Sequence, residues 1–487
     1  AMLVESVGYD GLTEFSFDDY PEIERDVKLL LSQFVGELQT LIYSGTSSEW
    51  KSSNTFQDAV ADKALKYYRA QVYGDRFKHY YRDNGDQLKA FLHRKENGLN
   101  LSSKLWNQSG NYKESLEVTI STAIEKGMSA TALSKKLSRY LNDWPSLQAD
   151  YQEKYGKATN IHDCEYRSLR LARNEISMAY RSAEQARWQQ FDFILGYKIK
   201  LSDSHPRYDI CDDLTGDYPK DFKFRGWHPN CLCYTVPIVM SEDEYWSDNR
   251  ENSPNKITAP PKNFGEWVDK SENLERIGKA NGKGTLPYWL RDNAKIKDCS
   301  VLMSKARTYG DAIQKQAETI AEKYNGIATP INYKGFSSMY RKLNSEKDML
   351  VSDIKDSVRN TIVVEKENIG SVVKELQSLS TFNRYKSQTP EKFCGYSGNI
   401  INLKMPNGIQ AEIQVNTPKM IYAKETEANA RKILGNKVWE KIAKETGIQG
   451  GLGHKYYEEI RILDEVKDRA KIAELIKLSK SYYAHFR

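Results

Sequence analysis

The sequence predicts a multidomain chain. It has a mostly α-helical N-terminal part, a small Cys/His-closed α+β middle segment, and a C-terminal α+β domain whose sheet is mixed and mainly antiparallel. Three observations predict this. At 487 residues the chain is long enough for about three domains of ordinary size. Apolar residues recur at helical spacing through most of 19–141 and again along 163–191, whereas strand-like runs alternate with helices beyond residue 300. Between these regions Ser253-Pro254-Asn255-Lys256-Ile257-Thr258-Ala259-Pro260-Pro261 and Gly278-Lys279-Ala280-Asn281-Gly282-Lys283-Gly284-Thr285-Leu286-Pro287 punctuate the chain with glycine and proline. The expected organisation is therefore a helical region at 1–110, a second domain at 111–245, a linker at 246–300 and a third domain at 301–487.

The elements follow in order. Residues 23–38 and 115–128 place apolar groups on one helical face, the second ending at Gly127 as a candidate C-cap. Ser129 reads as the N-cap of the next helix, because its short hydroxyl can accept from an unpaired first-turn N–H. Beyond the punctuated stretch, helices are expected near 303–324, 369–379, 419–434 and 465–483. Strands are expected at 356–364, 399–405 and 410–415. Met405-Pro406-Asn407-Gly408-Ile409 reads as an Asn-Gly hairpin turn between the last two strands.

Composition narrows the function classes. Hydrophobic residues at 39% and charged ones at 28% are enough for packed cores and too apolar for global disorder. No run approaches the roughly 18 apolar residues of a membrane helix. Ala1-Met2-Leu3-Val4-Glu5 lacks the basic start and apolar core of a secretory signal, so none is expected. The formal charge of +6 is unevenly divided: residues 301–487 hold 31 Lys+Arg against 22 Asp+Glu, a balance of +9, which leaves −3 for the first 300. Excess positive charge in the last third suits a module that handles polyanions, and equally a solvated basic face.

Six cysteines (Cys164, Cys211, Cys231, Cys233, Cys299 and Cys394) are spaced too irregularly for a disulfide framework. A reducing compartment with one metal site fits better. His205, Cys211, His228, Cys231 and Cys233 cluster between residues 202 and 237, and zinc takes four such ligands. The preferred quartet is Cys211, His228, Cys231 and Cys233. The alternative is a loop held by hydrogen bonds, its buried thiols acting as small hydrophobes.

Arg173-Asn174-Glu175 on the long helix, Cys211-Asp212-Asp213-Leu214-Thr215-Gly216, and the closing Trp227-His228-Pro229-Asn230-Cys231-Leu232-Cys233 follow one another in that order. Together, over about 110–240, they resemble the phage Mu F-type minor head proteins. Leu232 stands where that family commonly has arginine. The resemblance implies association with a phage portal and capsid interior, or with a prophage-derived element, and some members carry a toxin domain at the C-terminus.

In the last third, Asp356 and Glu412 are acids in or beside otherwise apolar strands, with Arg359 and Gln414 close by in sequence. Strand alternation puts Glu412 and Gln414 on one face and turns Ile413 and Val415 into the core. Two carboxylates on adjacent strands can hold Mg²⁺, while Lys334, Arg341, Lys342 and Arg359 can neutralise a triphosphate. An exposed sheet face with cross-strand ion pairs is the plainer alternative.

The order of motifs is more specific: Lys334-Gly335-Phe336-Ser337-Ser338-Met339-Tyr340-Arg341-Lys342, Asp356-Ser357-Val358-Arg359, Gly395-Tyr396-Ser397-Gly398-Asn399, Glu412-Ile413-Gln414-Val415-Asn416-Thr417 and Gly453-His454-Lys455. Over about 305–465 this series resembles the nucleotidyltransferase-like synthetase domain of RelA/SpoT homologues, specifically the shorter toxic variants. The resemblance implies a pyrophosphokinase that moves pyrophosphate from ATP to a ribose 3′-hydroxyl. It makes Asp356, Glu412 and Arg359 catalytic, with Mg²⁺ on Asp356 and Glu412. Lys334, Ser337, Ser338, Arg341 and Lys342 fall to the ATP, and Tyr396, Gln414, Thr417, His454 and Lys455 to the acceptor. Asn416 stands where alarmone synthetases usually have arginine, and Ser397-Gly398-Asn399 replaces the usual Ser-x-x-His. The acceptor is therefore open among GDP or GTP, an adenosine nucleotide and tRNA.

The leading expectation is a phage-associated toxin with an immunity protein or antitoxin, carried in a virion or made in a bacterium and acting in the target cytoplasm. A purely structural head protein with an inactive rear domain and a nuclease-like toxin gripping RNA are the alternatives.

Overall fold

The computed structural model describes residues 13–82, 84–123, 128–159, 164–345, 349–392, 394–463 and 468–487. The chain forms two units, Ala1–Pro261 with Gly284–Asn293, and Lys262–Lys283 with Ala294–Arg487. Among the described residues no helix is long and apolar enough to cross a membrane.

The front unit is built on helix α1 (Pro21–Tyr67), with proline in its first turn where the missing N–H costs nothing. Ile23, Val27, Leu31 and Val35 recur every four residues and are buried. The first three pack with Phe15, Phe17, Ile120, Leu133, Tyr140 and Leu147 into one core, which draws on α2 (Leu101–Ala123), α3 (Ala130–Asn142) and α4 (Trp144–Tyr155). The expected boundary at 110/111 falls inside α2. Ser129 caps α3 as expected, its Oγ accepting from the Ala132 amide at 3.3 Å. Gly127 lies outside the described residues.

The long helix α5 (Cys164–Gln190) runs against α1 and leads into a three-stranded antiparallel sheet. Its strands are β1 (Ile194–Lys200), β2 (Gly216–Tyr218) and β3 (Tyr234–Val239), in the order β2-β1-β3. Trp188, Tyr197 and Tyr218 are fully buried there.

The segment expected to be a linker, 246–300, is folded. It holds α6 (Lys262–Asp269), α7 (Ser271–Gly282), α8 (Tyr288–Arg291) and the start of α9 (Ala294–Arg307). Phe264, Val268, Leu274 and Ile277 are buried. Glycine in this stretch serves packing: a Cβ on Gly278 would stand 2.4 Å from Ser304 Oγ, so the bare backbone lets the two helices meet.

The rear unit continues with α10 (Gly310–Lys323), β4 (Ile327–Ala328), β5 (Asn332–Tyr333), α11 (Phe336–Ser345), β6 (Val358–Val363), α12 (Ile369–Gln377), β7 (Phe382–Gln388), β8 (Gly398–Lys404) and β9 (Gln410–Asn416). It ends in α13 (Pro418–Lys424), α14 (Glu427–Leu434), α15 (Asn436–Thr446), α16 (Leu452–Ile462) and α17 (Arg469–Ala484). The helix expected over 303–324 is two helices, and so is that over 419–434, where Thr426 caps α14 with its side chain.

The sheet runs β4-β6-β9-β8-β7, with β5 also on β6. Only β6 and β9 are parallel among its pairs; the others are antiparallel, so the sheet is mixed and mainly antiparallel as expected. The β8–β9 hairpin closes with the Gly408 amide donating to Met405 O at 2.8 Å. Pro406 and Asn407 are therefore the central pair, and Gly408 takes the left-handed conformation (φ +84°) beyond them.

Candidate active site

In the rear unit the backbone places one acid just ahead of a strand and the other on the neighbouring strand. Asp356 sits two residues before β6, and Glu412 lies on β9 directly opposite Arg359 in the parallel register. Alternation along β9 buries Ala411, Ile413 and Val415 and leaves Glu412 and Gln414 half-buried on the other face, as predicted.

Asp356 is held by two lysines. Lys334 Nζ lies 2.6 Å from its Oδ2 and Lys342 Nζ 3.5 Å from its Oδ1. Burial alone would raise this carboxyl, but the hydrogen bond from Lys334 and the charges of Lys334, Lys342 and Arg359 outweigh it and hold it below its ordinary value. Lys342 reaches Asp356 because α11 buries Phe336, Met339, Tyr340 and Leu343, which turns the Lys342 position toward the sheet. Arg341, Ser337 and Ser338 on the same helix are exposed. The helix start is fixed by Asp269, whose Oδ1 accepts from the Phe336 amide at 2.9 Å.

Glu412 and Tyr396 are joined by a chain of side chains. Gln414 Nε2 donates to Glu412 Oε1 at 2.8 Å, and Lys424 Nζ donates to Gln414 Oε1 at 3.2 Å. The same ammonium lies 5.7 Å from the Tyr396 ring centroid, a cation–π distance. Tyr396 packs edge-on against Tyr483 and donates its hydroxyl to Asn416 Oδ1 at 3.0 Å. Thr417 caps α13 through the Met420 amide at 3.2 Å.

Two open clefts border this arrangement. The first, about 510 Å³, is lined by Asp353, Asp356 and Glu412 together with Lys342, Lys355, Arg384 and Lys386. The second, about 190 Å³, is lined by Lys366, Gln388, Gly398, Asn416 and Thr417 among others. The structure thus brings Asp356, Glu412, Lys334 and Lys342 to one place and Tyr396, Gln414, Asn416 and Thr417 to another along the same strand. It does not bring in His454 and Lys455, which are exposed on α16 and line neither cleft. The predicted carboxylates fit Mg²⁺: they offer hard oxygens on one cleft wall, and Mg²⁺ uses one or two carboxylates and completes its shell from substrate phosphates and water.

Sequence reasoning missed Lys355, Arg384, Lys386 and Lys424. Arg384 and Lys386 stand on β7, an edge strand whose half-exposed residues give no apolar alternation. The available signal was the pair of basic residues, Arg384 and Lys386, on one face of the strand.

In the front unit the three cysteines of the predicted quartet come together, and His228 meets them through Cys211. Cys211, Cys231 and Cys233 are buried with their sulfurs within 4.8 Å of one another, and His228 Nε2 lies 3.1 Å from Cys211 Sγ. His228 Nδ1 donates to Pro229 O at 2.8 Å, so Nε2 is the nitrogen that faces Cys211, with Asp209 Oδ2 also 3.2 Å from it. Hydrogen bonds from Cys211 and Cys233, with the Arg181 guanidinium nearby, pull the Cys231 thiol well below its ordinary range. Arg181 braces the loop by donating to the carbonyls of Arg225, Cys231 and Cys233 at 2.8, 2.6 and 2.9 Å. Three sulfurs and one imidazole form a donor set that suits zinc.

No family model matches the chain. An alignment of 183 residues, covering 36% of the chain, is 35% identical to the (p)ppApp synthetase toxin Tas1 of Pseudomonas aeruginosa. Over that part the chain is homologous to Tas1. It spans about two-fifths of that relative, the match covering 41% of Tas1. In the solved complex of the Type VI effector Tas1 with its immunity protein, the Tas1-like chain is 34% identical, covering 39% of this chain and 97% of that one at a TM-score of 0.35. The small alarmone synthetase 1 of Bacillus subtilis, also solved with its product pppGpp and with AMPCPP, is 14% identical, covering 39% of this chain and 94% of that one at a TM-score of 0.24. The likeness to Tas1 agrees with the RelA/SpoT-type part of the sequence reading. The Mu F-type part has no matching family model behind it.

Proposed function

We propose that the chain is a toxin whose rear unit transfers the pyrophosphoryl group of ATP to the ribose 3′-hydroxyl of an adenosine nucleotide. The observation that carries this reading is the meeting of Asp356 and Glu412 on one cleft with four cations, Lys342, Lys355, Arg384 and Lys386. That is the arrangement a phosphoryl-type transfer needs, since its catalysis is positioning and charge neutralisation. The likeness to a (p)ppApp synthetase toxin supports the adenosine acceptor.

In this reading the acceptor oxygen bonds to the β-phosphorus of ATP while the bond from that phosphorus to the oxygen bridging to the α-phosphate breaks, and AMP leaves. The acceptor proton passes to Glu412, whose Oε1 is held by Gln414 so that the carboxylate keeps one orientation. Lys334 and Lys342 fix Asp356, and Arg359 adds charge beside it. Mg²⁺ held by Asp356 and Glu412 would supply charge neutralisation on the donor phosphates. Tyr396 offers the acceptor base a stacking surface.

The reading places action in the cytoplasm of a target bacterium. It gives the chain an immunity protein as partner, because Tas1 has been solved with one. The front unit is the carrier, closed by Zn²⁺ on Cys211, His228, Cys231 and Cys233, and its Mu F-type motifs suggest a phage portal or capsid as the vehicle.

The test is incubation of the full chain with γ-labelled ATP and, separately, ADP, GTP or tRNA, alongside expression in bacteria. Label on ADP and growth arrest, both lost in Asp356→Asn and Glu412→Gln, are expected. Activity retained in both variants sinks the mechanism. Shortened RNA without labelled acceptor points to a nuclease, and unhindered growth points to a structural head protein.

A further inference from the structure

Asn416 ends β9 only 2% exposed, yet among the described residues its Nδ2 has no hydrogen-bond partner. A buried amide N–H₂ left unpaired costs about 1–3 kcal/mol, so its persistence at the wall of a cleft points to a ligand. The other half of the amide is already fixed. Oδ1 accepts from the Tyr396 hydroxyl, and Gly398 is bare where a Cβ would stand 2.8 Å from that oxygen and 3.0 Å from the hydroxyl. The side chain therefore presents donors only.

We infer that Asn416 reads the acceptor base, donating from Nδ2 to a ring nitrogen of adenine and rejecting guanine. This rests on the pyrophosphate-transfer reading above, in which the base stacks on Tyr396. Three relations support it. Asn416 lies on the same strand face as Glu412 and Gln414, about 13 Å along the strand from Glu412 at the usual rise per residue, which suits a nucleoside whose 3′-hydroxyl lies at Glu412. The Tyr396 hydroxyl that fixes Oδ1 belongs to the ring that carries the base, so stacking and reading are set by one contact. Adenine offers N1 as an acceptor where guanine presents an N1–H donor, and a donor facing a donor leaves both unpaired.

The test measures dissociation constants of ADP and GDP for the full chain by titration calorimetry, with thermal melting as the folding control. The wild type is expected to bind ADP at least tenfold more tightly than GDP. Asn416→Asp exchanges a donor for an acceptor at constant shape and should narrow or invert that ratio. Tyr396→Phe frees the amide to turn, and should narrow the ratio while ADP still binds. An unchanged ratio in a folded Asn416→Asp variant overturns the inference, as does a wild type that binds GDP as well as ADP. A wild type that transfers no label yet keeps the Asn416-dependent preference overturns the transfer reading and leaves this one standing.

Discussion

Lys334 and Asp356 form an ion pair of 2.6 Å, each side chain only 17% exposed, and the pair is the fixed point of the candidate active site. Because the Asp356 carboxyl is held below its ordinary value, the unfolded chain takes up this proton first as the pH falls. The stability that the ionised group contributes is complete above the unfolded value of about 4 and is lost as the pH drops through the lower folded value. Asp356→Asn should melt lower than the wild type at pH 7, because it leaves Lys334 half-paired in a buried place. The two melting curves should converge toward pH 3. A gap independent of pH between 7 and 3 would refute the pairing.

The chain from Glu412 through Gln414 to Lys424 predicts a division of kinetic effects. Gln414→Leu removes the donor that holds Glu412 Oε1, and should lower kcat about tenfold or more with little change in KM for ATP. Lys424→Met removes the cation from the Tyr396 ring and the donor to Gln414 together, and should change both kcat and the acceptor KM. Steady-state kinetics with each substrate varied separates the two. An acceptor KM unmoved by Lys424→Met, or a kcat unmoved by Gln414→Leu, would deny the chain its place between proton acceptor and base platform.

Arg384 and Lys386 predict a third effect. Both line the cleft with Asp356 and Glu412, on the edge strand β7. Neutralising both to glutamine should raise a nucleotide KM about tenfold and steepen no other constant, since each charge acts on bound phosphates. Unchanged KM for donor and acceptor alike would remove β7 from the site.

What was legible in the sequence follows from which physical signals are local. The β6, β8 and β9 runs and the Glu412/Gln414 face showed because apolar alternation is written residue by residue. The chain Gln414–Lys424–Tyr396–Asn416 did not, because it joins a strand end, a helix end and a loop that meet only in the fold. Edge strand β7 lacked a buried face to mark it. The stretch 246–300 read as a linker because glycine and proline are counted alike whether they loosen a chain or, as at Gly278 against Ser304, let helices approach.

The Cys/His quartet predicts one Zn²⁺ per chain by metal analysis. Cys231→Ser should lose it and lower the front unit's melting temperature, as should a strong chelator, while Cys299→Ser should keep the metal. Zinc content unchanged in Cys231→Ser would return the cluster to buried thiols packed as hydrophobes.

Asp269, in the glycine- and proline-punctuated stretch, supplies the last prediction. Its Oδ1 accepts from the Phe336 amide at 2.9 Å at the start of α11, the helix that carries Lys342 to Asp356. Phe264 on the same segment packs edge-on against Phe336 at 5.3 Å. Asp269→Ala removes a helix cap and should cost about 1 kcal/mol, read as a fall of roughly 2–4 °C in the melting temperature of a domain this size. Because the cap sets the start of α11, the variant should also lower turnover, and Asp269→Asn, which keeps an accepting oxygen, should restore most of both. If the residues 262–283 were a passive tether, Asp269→Ala would leave stability and turnover alike untouched.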